Sequence, residues 1–364
     1  MDWRNITMPW RKLFQPRRRF PVVQLEVTSR CQLGCRYCPH TILKEGGEGW
    51  YNPDLPWEVF ERYLAPYLPQ IGLIYFQGWG EPLLHPRLLD MIELAKAKGC
   101  RVGFTTNGIL LGPGLMERLV EFPCDILGLS VAGGTPATHA SLRAGSNLKR
   151  LLANINRLAE IKARYNSPLP KIHCSYLMTR SNLAELPAFL EQAAAAGVDE
   201  VVTINLDLTL TPEMEALRAF ACPGEEYEEQ QAQLQAAEGR AAALGIPLRT
   251  YPLQFNPRVM VCDALPLKHI FINSRGEVAP CVYLGLPFAG PIPRFFCNQQ
   301  EPVTPFNYGN VTAGLASVVR NKAARGFRQY FQHRLELTNP FLLANPEVPL
   351  PPPPCRSCYK LYGL

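Results

Sequence analysis

Short apolar stretches alternate with longer amphipathic ones from Phe20 onward. Residues 22–28, 71–77, 101–105, 124–131, 170–178 and 200–206 read as buried strands. Between them, residues 55–68, 86–98, 115–121, 148–164 and 183–196 carry apolar positions at helical spacing, and the last of these ends at Gly197. Strands that alternate with helices predict an α/β fold with a parallel sheet, because a parallel neighbour is reached only by a crossover. In such a sheet the C-terminal strand ends carry the chemistry.

Residues 211–245 are alanine- and glutamate-rich and predict helix leading out of the sheet. Near Tyr251 the character changes and proline becomes frequent. Three segments are expected: a basic arm at 1–19, the sheet with its helices at 20–250, and a second module at 251–364. In the second module, residues 268–273 and 276–279 flank Ser274-Arg275 as a β-hairpin with Cys262 and Cys281 at its outer ends. Asn307-Tyr308-Gly309-Asn310 precedes a helix at 315–334. Pro351 to Pro354 then present Cys355-Arg356-Ser357-Cys358 on a stiff extended lead.

Composition changes this picture little. A chain of 364 residues, 47% apolar and 19% charged, can bury one large or two moderate cores without covalent staples. Part of the net charge of +6 is concentrated in Arg11, Lys12, Arg17, Arg18 and Arg19, with Trp3 and Trp10 nearby. Such an arm can touch an acidic partner or make peripheral membrane contact with lipid headgroups, although a solvated arm laid against the domain is the simpler expectation. No transmembrane segment is expected. Nor is nucleic acid a partner, for want of a basic recognition helix or an aromatic–basic stripe.

The cysteines carry the chemistry. Cys31, Cys35 and Cys38 follow the first strand, and Cys262, Cys281, Cys355 and Cys358 fall in the second module. Three thiolates can hold three corners of a [4Fe-4S] cube and leave one iron open, whereas four can close a cube. Zinc competes on the same spacings, with His40 the near candidate for a fourth ligand of the first group. Cys100, Cys124, Cys174 and Cys222 read as small buried apolar residues. Cys297 reads as a structural thiol, with a spare ligand as the alternative. There is no signal peptide, so a disulfide framework is not expected and a reducing, cytoplasmic setting is.

The other candidate residues fall at strand ends: Gly78-Trp79-Gly80-Glu81-Pro82 after the second, Thr105 to Gly108 after the third, Ser130 to Gly133 at the fourth, Arg180 to Asn182 after the fifth, and Asn205 with Asp207 at the sixth. Together with Cys31-x3-Cys35-x2-Cys38 and the aromatic Tyr37, the Gly78–Pro82 segment resembles the radical S-adenosylmethionine (radical SAM) enzymes. Trp79 stands where that family's Gly-Gly-Glu-Pro segment has glycine. The resemblance covers residues 20–210 and implies a partial (β/α)6 TIM barrel. The family's chemistry is cleavage of S-adenosylmethionine to a 5′-deoxyadenosyl radical that abstracts a substrate hydrogen. It implies cofactor contacts from Tyr37, Gly78, Trp79, Gly80, Glu81 and Pro82, with Thr106, Asn107, Ser130 and Asn205 as hydrogen-bonding candidates. The C-terminal cysteines resemble the SPASM/twitch auxiliary-cluster module, which implies two [4Fe-4S] clusters in all.

Because only about twenty residues precede the first strand, no leader-binding segment is expected. The favoured reaction is therefore net oxidation of a small molecule or cofactor precursor, with crosslinking or oxidation of a peptide or protein side chain as the alternative. A reducing partner such as flavodoxin or ferredoxin is implied. Glu26, His40, Asp125, His173, Tyr176, Asp207 and Asp263 are candidate bases or orienting groups, and no catalytic residue is singled out among them.

Overall fold

The computed structural model describes residues 18–45, 50–51, 53–256, 262–337 and 350–364. Six parallel strands form its centre: β1 (Phe20–Leu25), β2 (Ile71–Phe76), β3 (Arg101–Thr106), β4 (Ile126–Val131), β5 (Lys171–Met178) and β6 (Glu200–Asn205). They neighbour one another in chain order, as a partial (β/α)6 barrel requires. Each crossover helix buries one stripe. In Leu148–Arg164 the stripe is Leu148, Leu151, Ile155, Leu158 and Ile161, and the Asn147 side chain caps the helix by accepting from the Arg150 N–H. Helix Leu186–Ala196 stops at Gly197, whose φ of 85° closes a left-handed cap.

The second module does not stand apart from this sheet. Its hairpin strands, β8 (His269–Ile272) and β9 (Glu277–Ala279), are where the sequence predicts them, yet β8 lies parallel to β1 with Val23 opposite Ile270. With β7 (Leu248–Arg249) beside β6 and β10 (Gly309–Asn310) beside β9, the sheet runs β10-β9-β8-β1-β2-β3-β4-β5-β6-β7. One hydrophobic core spans both modules, from Phe20 and Val23 to Leu361 and Leu364.

Several elements differ from expectation. The helix predicted at 55–68 is three short pieces, Trp57–Val59, Phe60–Leu64 and Ala65–Gln70, because Pro66 and Pro69 remove backbone donors. The segment 211–245 is helical at Pro212–Ala216 and Glu228–Leu244, with Pro223-Gly224 in the irregular stretch between. The helix predicted at 315–334 divides into Leu315–Val318 and Lys322–Leu337, and Asn321 accepts from the Ala324 N–H at the second start. Helix Pro136–Leu142 and the ladder of Gly34–Cys35 with Arg143–Ala144 were not predicted. Most of the basic arm, including Trp3, Trp10, Arg11, Lys12 and Arg17, lies outside the described residues. Among the described residues no helix is long and apolar enough to cross a membrane.

Cys222 and Cys297, 75 residues apart, form a disulfide. This corrects the expectation of a buried apolar thiol at Cys222 and of a structural thiol or spare ligand at Cys297. The cause is a tight turn between Phe295–Phe296 and Gln299–Gln300, with Cys297 at φ 47° and Asn298 at φ 64°, which no spacing rule reveals.

Candidate functional site

The loop carrying Cys31, Cys35 and Cys38 is held at both ends. Before it, the buried Glu26 carboxylate accepts from the Trp79 N–H at 2.7 Å, the Ser29 hydroxyl at 2.8 Å, and the Ser274 N–H and hydroxyl at 3.2 and 3.0 Å. Within it, Cys35 pairs with Arg143 in the short ladder, and the Arg36 N–H donates to the Leu142 carbonyl. After it, helix Pro39–Glu45 starts with N–H groups turned onto the Cys38 carbonyl. Burial pushes the Cys31 thiol up to about 11 and the Cys38 thiol up to about 12, and lifts Cys35. The neighbouring thiols add to the shift at Cys31 and Cys38, so the three are close enough to feel one another.

Arg143 faces this trio from the unpredicted ladder. It is buried, its Nη1 donates to the Tyr37 hydroxyl at 2.8 Å, and its Nε has no partner. Burial disfavours its charge, but Tyr37 and Cys35 outweigh that and hold the guanidinium protonated. The sequence offered no signal for Arg143, because a lone arginine after a Ser/Thr-rich helix looks like a solvated residue.

Gly78 to Pro82 leaves β2 beside the cysteine loop. A side chain at Gly78 would lie 2.5 Å from Glu26 Oε1, and one at Gly80 would overlap the Thr28 carbonyl oxygen and come 2.7 Å from that of Arg30. Both glycines are thus required by the chain entering the loop. Glu81 is buried. Its carboxylate accepts from the Thr106 hydroxyl at 2.7 Å, the Asn107 N–H at 2.8 Å and the Leu83 N–H at 3.1 Å, tying the end of β2 to that of β3. Burial raises both Glu26 and Glu81 above the usual carboxylate range, against these hydrogen bonds. Pro82 opens the short turn that follows.

Of the predicted hydrogen-bonding positions, Thr106 is already committed to Glu81 and to the Gly108 N–H. Asn107 and Asn205 retain capacity. Asn107 Nδ2 is buried without a partner while its Oδ1 accepts from Ile109, and Asn205 Oδ1 is buried without a partner while its Nδ2 donates to the Pro252 carbonyl. Ser130, at the end of β4, is half-buried.

The other four cysteines converge. Cys262, Cys281, Cys355 and Cys358 line one cavity with Arg294, Tyr283 and Lys360, although more than 70 residues separate the hairpin from the tail. Burial raises Cys262, Cys281 and Cys355, and their mutual proximity with Cys358 adds to each shift. Beside the cavity, Lys360 Nζ lies 2.8 Å from Asp207 and 3.1 Å from Asp263, while Tyr283 and Tyr251 donate to those carboxylates at 2.7 and 2.6 Å. Burial alone would strip the Lys360 proton, but the two carboxylates reverse this and raise it. Trp79 connects the two regions: its indole N–H donates to the Val282 carbonyl at 3.1 Å, and its ring meets Tyr283 edge-on at 5.9 Å.

Most of the base candidates are placed elsewhere. Glu26 is saturated by four donors. His40 is buried edge-on against Trp50 with its Nε2 unpartnered. Asp125 accepts from Lys96 and the Val102 N–H just before β4, at the opposite rim from the strand ends. His173 sits inside the barrel, where Gly128 leaves it room: a side chain there would lie 2.8 Å from both His173 Nε2 and the Tyr75 hydroxyl. Tyr176 packs on Phe189 and donates to the Asn182 carbonyl. Asp207 and Asp263 alone of the seven are brought together, at Lys360.

A match to the radical SAM superfamily model covers residues 25–193, and a match to the SPASM iron–sulfur cluster-binding domain covers residues 262–359. The chain carries a radical SAM domain. Its C-terminal module is a SPASM auxiliary-cluster domain. Among curated proteins, this radical SAM chain is 28% identical over 299 residues to the tungsten-containing aldehyde ferredoxin oxidoreductase cofactor-modifying protein of Pyrococcus furiosus, covering 79% of this chain and 77% of that one. It is 28% identical over 185 residues to the PqqA peptide cyclase of Granulibacter bethesdensis, covering 50% of this chain and 46% of the cyclase, so it spans about half of that relative. The crystal structure of Streptococcus suis SuiB bound to S-adenosylmethionine shares its fold, with a TM-score of 0.61 at 14% identity over 85% of this chain and 68% of SuiB.

The donor sets are thiols alone, three on the loop after β1 and four lining one cavity, and sets of this kind suit iron–sulfur clusters.

One consequence concerns Gly80. From sequence, a valine there would be expected to crowd only the cofactor; in the structure its Cβ meets backbone just before Cys31. The Gly80→Val protein should therefore lose both S-adenosylmethionine affinity and the iron of the first site while keeping the second. Iron and sulfide per chain, with equilibrium dialysis of the cofactor, checks this; full iron content would show that the loop accommodates the branch.

Proposed function

We propose that the protein cleaves S-adenosylmethionine reductively at a cluster on Cys31, Cys35 and Cys38, and directs the resulting radical at a peptide or protein side chain that undergoes net oxidation or crosslinking. The observation that carries a coupled oxidation is Trp79, which binds the auxiliary-cysteine segment at Val282 and Tyr283 while belonging to the segment beside the first cysteine loop. Two clusters, the second on Cys262, Cys281, Cys355 and Cys358, go with this reading. When bound, the first would supply the electron that breaks the sulfonium bond, and the second would accept the electron left on the substrate.

The chain's own part is to bind, orient and exclude water. Asn107 Nδ2 and Asn205 Oδ1 offer a donor and an acceptor to the cofactor, and Arg143 offers a buried cation to a carboxylate or to the thiolates. Leu43, Leu142, Leu206, Leu208, Leu286 and Ile292 form a small buried core on which Trp79, Tyr283 and Phe288 pack, so the segments that bear the two groups of thiols are held to one another. Likeness to PqqA peptide cyclases from three organisms supports a peptide substrate. A small cofactor precursor is the second reading, favoured by the match to the cofactor-modifying protein along most of the chain. A flavodoxin or ferredoxin as electron donor, and a cytoplasmic setting, accompany both.

Anaerobic protein with reductant and S-adenosylmethionine, incubated separately with side-chain-deuterated peptides and with deuterated small molecules, tests the choice. Deuterium in 5′-deoxyadenosine and a peptide lighter by two hydrogens are expected. Label taken only from small molecules would select the second reading, and label returned to the substrate with cofactor regenerated would replace oxidation by isomerisation.

A further inference from the structure

Arg294 lines the cavity formed by Cys262, Cys281, Cys355 and Cys358, and is only 2% exposed. Its Nη1 donates to the carbonyls of Pro354 and Ser357, at 2.8 and 3.4 Å, on the segment that bears the last two cysteines. Its Nε and Nη2 are buried and have no partner. No carboxylate pairs with it among the described residues. The other cation lining the cavity, Lys360, is taken up by Asp207 and Asp263. A buried guanidinium with two empty donors is costly unless something negative occupies the space they face. Here that space is walled by four cysteines, and Arg294 acts electrostatically on Cys281 and Cys355.

We propose that Arg294 is a tuning residue of the auxiliary centre: its free Nε–H and Nη2–H groups donate to the sulfur surface of a cluster held by the four cysteines and raise that cluster's reduction potential. The proposal rests on the reading that a cluster sits there. The reason is charge. A cube with four thiolates is anionic and becomes more so on gaining an electron, so a fixed cation and two hydrogen bonds stabilise the reduced form more than the oxidised one. Arg294 also grips the peptide groups around Cys355 and Cys358, so its charge stays fixed relative to the ligands.

The test uses the full chain carrying Cys31→Ala, Cys35→Ala and Cys38→Ala, so that the auxiliary centre is the remaining cluster, reconstituted anaerobically and titrated by potentiometry with electron paramagnetic resonance. Arg294→Met should keep its iron and shift the one-electron equilibrium toward the oxidised form at least tenfold, ~59 mV downward, while Arg294→Lys should recover part of the shift. A Met variant with full iron and the parent potential overturns the proposal. If the Met variant fails to load, Arg294→Lys is compared with Arg294→Gln: a higher potential for Lys supports the role, and equal potentials overturn it. Absence of any cluster in the triple-cysteine parent overturns the underlying assignment, and with it the role of Arg294; that outcome is separable because it appears before position 294 is touched.

Discussion

Replacing Cys31, Cys35 and Cys38 together with alanine should abolish 5′-deoxyadenosine formation and lower the iron content from about eight to about four atoms per chain. The loss should be complete, because reductive cleavage needs the open iron and the described residues offer no second trio of cysteines at a strand end. Folding should survive. The loop is held by the Gly34–Cys35 ladder with Arg143–Ala144 and by Glu26, none of which uses a cysteine side chain. Iron and sulfide analysis with chromatographic detection of 5′-deoxyadenosine decides it. Nucleoside produced at the parent rate would refute the assignment.

Replacing Cys355 and Cys358 with alanine should have a different signature. Cleavage of S-adenosylmethionine should continue without substrate, while substrate oxidation falls by two orders of magnitude or more, since the substrate radical then lacks its acceptor. The tail should also loosen, because metal binding and local folding are coupled. Lys360 and Tyr359, which hold Asp207, Asp263 and Glu215, lie immediately beyond Cys358. Faster proteolysis after residue 350, with the ratio of 5′-deoxyadenosine to product rising, is the expected pair of readings. A parent containing only about four iron atoms, or zinc at these residues, would refute the two-cluster count.

The alternation of strands and helices and the position of each cysteine group were legible in the chain because both depend on local spacing. An amphipathic period states which face is buried, and Cys-x3-Cys-x2-Cys states that three thiols leave one strand together. Placement of polar groups was legible only in part. Glu81 and Glu26 look alike in sequence as acids near strand ends. The structure makes both of them buried ties, with donors from Thr106, Asn107 and Leu83 for one, and from Trp79, Ser29 and Ser274 for the other. His173 has the alternation of a lumen-facing strand residue, but only the absence of a side chain at Gly128, on the neighbouring strand, shows how deep it sits.

Local spacing is enough for the α/β class, the six strands with the helices between them, the two groups of cysteines, and the hairpin flanked by Cys262 and Cys281. Each of these follows from residues within a few positions of one another, whereas the order of the strands in the sheet is a matter of packing. Tertiary structure alone decided that the hairpin continues the barrel sheet through β1. It also decided that Cys222 meets Cys297, that Trp79 reaches the auxiliary cavity, and that Arg143 and Arg294 each stand buried beside a group of thiols. Those outcomes depend on which distant surfaces pack together, and on the cost of burying a charge without a partner, a quantity that no local pattern of residues encodes.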